Sequence, residues 1–488
     1  MIPKTNLHQL IQSLTKSEKR YFSLFAKRHV IAGENKYIKL FNCIEKQKTY
    51  NEIKIKQILK YKETYTNLAV EKGYLKELIL KSLKHFHEKN FIDSILYDKL
   101  IQIEILYEKG LFEMGYELID KSILLAQKHE KFLIHTQLLI WKINYGAKLN
   151  TFDSIFSDSD AASKNIALFL EVLTYKKGFH ELFLIANKTQ EVKNTKQIKQ
   201  IISQLKPIYK LPTPHSNLGA HYYFSILSFI AVLENNNQNM LLYFEQDLAI
   251  FKNNFIFCKE EPNLYLNAAN NFIFSLIISD ELKKAEDEII LLQNTTNALN
   301  LTIQQKARTF INISDNRLLL LSKQNKLTLA QEVAKEIEKD LLLYEKYIDQ
   351  PRKTFLYFSF ASTHFFCKNH KLVNKFLNRI IKTKEDKEAD TSLISLAMIA
   401  QLINMIEGDE LVLFKNKLNT TRKYIKMQSS SDWLLLFCDF ISVNEKNKAN
   451  KFKAENELKN KLITSAKNNA TLKKLLGYFD LIKWLEGK

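Results

Sequence analysis

Glycine and proline are scarce, ten and six residues in a chain of 488. An all-β fold, a barrel or a dinucleotide-binding unit needs these residues at its turns, so their scarcity favours long helices and an all-α fold. Cysteine is equally sparse. Cys43, Cys258, Cys367 and Cys438 lie far apart with no C-x-x-C pair, which points away from zinc or dithiol chemistry and fits buried thiols in a reducing cytoplasm. Long apolar runs are missing too. The longest nearly unbroken one, FSILSFIAVL at 224–233, is half of the roughly 20 residues that cross a bilayer. Residues 1–20 hold no apolar core of signal-peptide length, so neither secretion nor a membrane partner is expected and the localisation is read as cytoplasmic.

Catalytic signatures are absent as well. There is no glycine-rich phosphate loop, G-x-S-x-G elbow or kinase motif. His85 and His87 stand two apart on a predicted helix and point in different directions, unlike the i, i+4 pair that holds zinc in H-E-x-x-H. SDSD at 157–160 offers two carboxylates, but its place before AASKN reads as a helix N-cap. No catalytic residue, metal ligand or cofactor is expected, and the chain reads as a non-enzyme.

Hydrophobic residues make up 46% of the chain, enough for a substantial core. The formal charge is +19, and its distribution matters more than its size. Residues 1–90 hold 19 Lys and Arg against 8 Asp and Glu, and residues 444–474 hold 9 against 3, whereas residues 91–443 are nearly balanced at 42 against 40. Of the 72 basic residues 65 are Lys and only seven Arg, a bias that genome composition can produce. Such drift would spread evenly along the chain. This charge does not.

Polar breaks recur between apolar helical stretches near Gly110, Thr151, Asn194, Asn237, Asp280, Asn325, Asn369, Gly408 and Asn447, at spacings of 39 to 45 residues. Around Asp280, Leu266, Phe272, Ile273, Leu276 and Ile277 precede the break, and Leu282, Ala285, Ile289 and Leu292 follow it at steps of three or four. A helix hairpin therefore repeats about every 43 residues. Two helices of this length cannot bury their own apolar faces, so neighbouring hairpins are expected to stack as an α-solenoid.

LYEKGLFEMGYELIDKSILLAQ at 106–127 resembles the second half of a tetratricopeptide repeat, with Gly115 and Ser122 at the small-residue positions, Ile119 between them and Gly110 in the turn. The resemblance covers residues 91 to 470 in pattern, with a period longer than the 34 residues of that family. It implies an all-α, TPR-like solenoid of antiparallel hairpins over 91–488, whose concave surface binds a protein or peptide partner. LPTPHSN marks a bend near 206–217, and basic capping helices are expected over 444–488. TFLYFSFASTHFFC at 354–367 is an aromatic stripe read chiefly as core, with a peptide-anchoring role as the alternative.

Residues 1–90 do not continue the period and read as a separate basic module of helices over 6–14, 17–28, 36–47, 52–59 and 67–87. In SLTKSEKRYFSLFAKRH at 13–29, Thr15 and Glu18 fit a capping box, with Leu14, Tyr21, Phe22 and Phe25 on one side of the helix and Lys16, Lys19, Arg20 and Lys27 on the other. LTKSEKR at 14–20 resembles the opening of the helix-turn-helix domain of LuxR-type regulators, which implies contact with DNA. The candidate nucleic-acid residues are Lys16, Lys19, Arg20, Lys27 and Arg28, together with Lys72, Lys76, Lys81 and Lys84 on the last helix of the module. A solvated lysine face, and a cap over the first hairpin, are the alternatives. The resulting expectation is a scaffold or adaptor for a protein or peptide, with DNA or RNA binding through residues 1–90 as the second reading.

Overall fold

A computed structural model describes residues 6–28, 36–60, 68–88, 91–189, 203, 213–234, 236–385, 391–408 and 413–427, and isolated positions from 434 to 461. Among the described residues every regular element is helical and no strand occurs. None of these helices is long and apolar enough to cross a membrane. The chain divides into two compact units, Met1–Ala167 and Leu168–Lys488.

The first unit opens with five helices: α1 (Asn6–Ser13), α2 (Lys16–Arg28), α3 (Lys36–Glu45), α4 (Glu52–Ile58) and α5 (Leu68–His87). Their ends fall within two residues of those expected from sequence. The capping box sets the start of α2: the Thr15 N–H donates to the Glu18 carboxylate at 2.6 Å and the Glu18 N–H donates to the Thr15 hydroxyl at 3.2 Å. Phe22, Ala26, Phe41, Ile44, Leu75 and Ile79 form the core beneath, with the Phe22 and Phe41 rings 4.6 Å apart. Burying each such ring contributes about 2–3 kcal/mol.

Next come α6 (Ile92–Glu108), α7 (Phe112–Lys128) and α8 (Phe132–Leu149), packed on one another around Leu96, Ile103, Ile119, Leu138 and Tyr145. Gly115, Ile119 and Ser122 are buried on α7, in the small-large-small order read from sequence. The glycine leaves room for the Tyr145 ring, whose hydroxyl donates to the Ile103 carbonyl at 2.5 Å. The long α9 (Asp153–Thr189) follows. It corrects the reading of SDSD as an N-cap. The helix begins at Asp153, so Ser157–Asp160 lie inside it, and Asp158 is buried 3.9 Å from Lys142.

The second unit contains α10 (Asn217–Leu233), α11 (Asn237–Asn253), the short α12 (Phe255–Glu260), α13 (Pro262–Ile278), α14 (Leu282–Ala298), α15 (Ile303–Lys323) and α16 (Leu327–Tyr344). It continues with α17 (Gln350–Phe366), α18 (His370–Ile381), α19 (Thr391–Glu407) and α20 (Phe414–Met427). Here each longer helix packs on its neighbour in the chain, and α11 also packs on α13, α13 on α15 and α15 on α17. Phe272, Ile273 and Leu276 of α13, Phe358 and Phe360 of α17 and Phe376 of α18 are fully buried. The aromatic stripe at 354–367 is thus mainly core, with Phe355 and Phe366 half-buried and Phe355 lining a groove.

The turns explain how a chain so poor in glycine reverses direction so often. Gly110, Glu130, Asn150, Asp280, Asn325 and Lys368 all take left-handed backbone, with φ between 50° and 69°. After each, the next N–H reaches back over the helix end, as from Leu111 to the Leu106 carbonyl at 3.0 Å and from Glu281 to Leu276 at 2.9 Å. The expected breaks near 110, 151, 237, 280, 325, 369 and 408 coincide with helix boundaries. Those near 194 and 447 lie outside the described residues. So does most of the bend at 206–217, and so do the capping helices at 444–488 apart from four isolated positions.

Candidate functional site

Three helices of the second unit, α13, α15 and α17, carry a largely polar stripe in matching register. Asn263, Asn267, Asn270 and Asn271 follow steps of four, three and one on α13, and Gln304, Arg308, Ile311 and Asn312 repeat those steps on α15. On α17 the stripe is continued by Arg352, Phe355 and Ser359, so that Arg352 stands 44 residues after Arg308. Side chains link the stripes from helix to helix: the Arg308 guanidinium donates to Asn267 Oδ1, the Asn316 amide donates to Asn270 Oδ1 at 3.0 Å, and the Ser359 hydroxyl donates to Asp315.

Two adjoining hollows follow this polar lane. One of about 260 Å³ is bounded by Asn270, Asn271, Asn312, Asn316 and Phe355, and one of about 430 Å³ by Asn263, Gln304, Gln305, Arg308 and Tyr347. Ile311 and Arg352 line both. A side-chain amide both donates and accepts, so a row of them can pair with the N–H and C=O groups of an extended chain whatever its sequence. Phe274 and Phe355 add apolar walls.

The two arginines differ in their surroundings. Arg352 is paired with Asp349 at the start of its own helix. Arg308 has no carboxylate partner among the described residues, and its Nε is buried without an acceptor. Burial holds the Arg308 guanidinium below its ordinary pKa, and the neighbouring Arg352 charge acts in the same direction.

The neighbouring helices α11, α14, α16 and α18 present different chemistry. Lys252 of α11 meets Glu288 of α14 at 2.6 Å, Lys284 of α14 meets Glu245 of α11 at 2.7 Å, and Lys375 of α18 meets Glu338 of α16 at 2.5 Å. Such partly exposed pairs, each worth about 0–1 kcal/mol, tie these helices together without creating an unmet polar group.

In the N-terminal helices, Lys16, Arg20 and Lys27 are exposed on α2, as are Lys81 and Lys84 on α5, with Lys76 half-exposed. Lys19 instead pairs with Glu45 at 2.9 Å. Lys72 turns inward to Glu52 at 2.6 Å and the Tyr50 hydroxyl at 3.0 Å; burial alone would lower its pKa, but these partners raise it. Arg28 ends α2, and its side chain lies outside the described residues. Acidic groups are drawn inward here: Glu71 meets Lys36 at 3.0 Å and Glu18 meets His87 at 2.7 Å. Partial burial would raise the Glu18 carboxyl, yet its bonds from Thr15 and His87 hold it below its ordinary value.

Sequence reasoning overlooked a groove of about 670 Å³ at α3 and α4, where Lys39, Lys46, Lys48 and Lys54 line the walls with no carboxylate among the lining residues. Their uneven spacing in sequence follows no single helical face, so no periodic signal marked them. It overlooked the lane on α13, α15 and α17 for a different reason: polar stripes on a helix read as ordinary solvent-facing surface.

Two other polar clusters lack catalytic geometry. His221 lies 2.7 Å from Asp247, but Ser225 is directed at Asp247 rather than at the imidazole, so no serine nucleophile is activated. Burial pushes the Cys258 and Cys438 thiols up to about 11, which keeps them in the unreactive form. Among the described residues no group of three or more His, Cys, Asp and Glu could hold a metal ion. No protein-family model matches the chain, and no curated protein matches its sequence.

Proposed function

We propose that this protein is a non-enzymatic helical-repeat scaffold of the cytoplasm, in which hairpins stack as a TPR-like solenoid and the lane on α13, α15 and α17 receives an extended segment of a protein partner. The observation that carries this reading is the register of the lane. Asn267, Arg308 and Arg352 stand at one equivalent position of three successive hairpins and Asn271 and Asn312 at a second position of the first two, while the second helices of the same hairpins carry paired lysines and glutamates. A surface selected only for solubility has no reason to separate the two chemistries. Matching hydrogen-bonding groups at intervals set by helix packing suit a linear ligand.

A photo-crosslinking residue placed at Asn312 tests the reading in living cells, with one at the exposed Lys283 of α14 as control. Crosslinks from position 312 should map to one contiguous partner segment and be competed by the synthetic peptide of that segment. Equal, scattered crosslinking from both positions would count against a peptide groove.

The lysine groove at α3 and α4 favours a second activity, contact with DNA or RNA through residues 1–90. Lysines lining a groove without carboxylates can replace the counterions of a phosphate backbone. Gel shifts with the full chain should then weaken steeply as salt rises, and absence of any shift at low salt removes this activity.

A further inference from the structure

We infer that Arg308, with Arg352 beside it, anchors a carboxylate of the bound segment, so that the ligand of the lane is an acidic peptide or a peptide C-terminus. The inference deepens the proposed peptide-binding reading and rests on it. Three observations converge on it.

The first is an unfinished set of interactions. Asp349 is occupied by Arg352 and Asp315 receives the Ser359 hydroxyl, while Arg308 reaches only the neutral Asn267 amide and leaves its Nε buried without an acceptor. A partly buried guanidinium without a counterion is destabilising, and a ligand oxyanion seated in the 430 Å³ hollow that Arg308 lines would supply that counterion.

The second is residue choice. In a chain with 65 lysines and seven arginines, two arginines stand at equivalent positions of adjacent hairpins and line the same hollow. Lysine serves at most positions that carry a positive charge. Only the planar guanidinium offers paired donors matched to the two oxygens of a carboxylate.

The third is like-charge approach. Arg352 lies close enough to Arg308 to disfavour its charge. Among the residues lining the 430 Å³ hollow, Arg308 and Arg352 are cations and Asp349 is the one carboxylate, so the hollow is net positive and a ligand carrying one negative charge would neutralise it.

Two measurements on the full-length protein test the inference. In the first, fluorescein-labelled pools of randomised octapeptides, free of phosphate, are titrated by anisotropy in three forms: amidated and neutral, amidated with one central Asp or Glu, and neutral with a free C-terminal carboxylate. One or both carboxylate pools should bind at least tenfold more tightly than the neutral pool, and which does so identifies the source of the carboxylate. Arg308→Gln should remove that tenfold preference, with Arg308→Lys restoring only part of it. Equal binding of all pools, or an equal loss for every pool in Arg308→Gln, overturns the anchor while leaving the peptide groove standing; no binding of any pool to the unaltered protein overturns both.

The second measurement needs no ligand. If Arg308 is held for a partner, Arg308→Met should raise the Tm of the free protein by about 2–4 °C, because an uncompensated charge is removed. A Tm lowered by Arg308→Met would make Arg308 a strut of the fold and overturn the inference.

Discussion

His221 of α10 and Asp247 of α11 are joined by a 2.7 Å contact between Nδ1 and Oδ1, with 5% and 3% of their side-chain surfaces exposed. The Phe251 ring stands edge-on to the imidazole, 5.5 Å away between centroids. Removing the imidazole leaves the carboxylate buried with only the Ser225 hydroxyl, 3.3 Å away, as its remaining partner. His221→Ala should therefore destabilise the second unit by about 3–5 kcal/mol. A double-mutant cycle with Asp247→Asn, followed by urea denaturation, should show strong non-additivity; additive losses would mean that the pair is not coupled.

Gly115→Ala should destabilise the first unit by about 1–3 kcal/mol through overpacking. An added Cβ would lie 2.2 Å from the Tyr145 ring, which is fully buried and fixed by its bond to Ile103. Thermal unfolding of the variant checks this. Adding Tyr145→Leu to the same chain should recover part of the loss by vacating the space.

Much of the fold was legible because its determinants are local. Thr15 and Glu18 announce the start of α2, and the glycine, asparagine and aspartate at 110, 150, 280 and 325 announce reversals, since these residues tolerate left-handed backbone. Glu130 and Lys368 carry no such mark, yet the same geometry is imposed on them by the helices they join. The candidate site was far less legible. Lys19 and Lys72 resemble the other surface lysines in sequence, and only their long-range partners Glu45 and Glu52 reveal them as structural. Arg308 likewise gains its meaning from what does not reach it.

Those two unmarked turns lead to a prediction of gained stability. Left-handed backbone costs a residue with a side chain about 1–2 kcal/mol relative to glycine, offset in part by the greater freedom of glycine in the unfolded chain. Glu130→Gly and Lys368→Gly should each raise stability by about 0.5–1 kcal/mol, whereas Gly110→Ala, at φ 69°, should lower it by about 1 kcal/mol. Chemical denaturation of the three variants tests the sign at each site.

Stability should also fall in mild acid. His135 is buried with the Asn165 amide 2.8 Å from its Nδ1, and His364 is buried against Phe376 with an unpartnered Nδ1. Burial lowers the pKa of both below the ordinary 6.5, outweighing the Asn165 bond at His135 and the Glu338 charge near His364. As pH drops through 6.5 the unfolded chain takes up these protons first, so stability is lost from there down to the depressed folded values and levels off below them, as far as these groups are concerned. Unfolding curves between pH 7.5 and pH 5 should show this loss, and His135→Gln should reduce its slope in the first unit.

The links from Asn267 to Arg308, from Asn270 to Asn316 and from Asp315 to Ser359 join α13, α15 and α17 through side-chain hydrogen bonds. Opening any one of α13, α15 and α17 breaks hydrogen bonds belonging to another, so their amide protons should exchange with solvent as one cooperative block. Contact at any one of the three helices would then slow exchange across all of them, without a change of backbone shape.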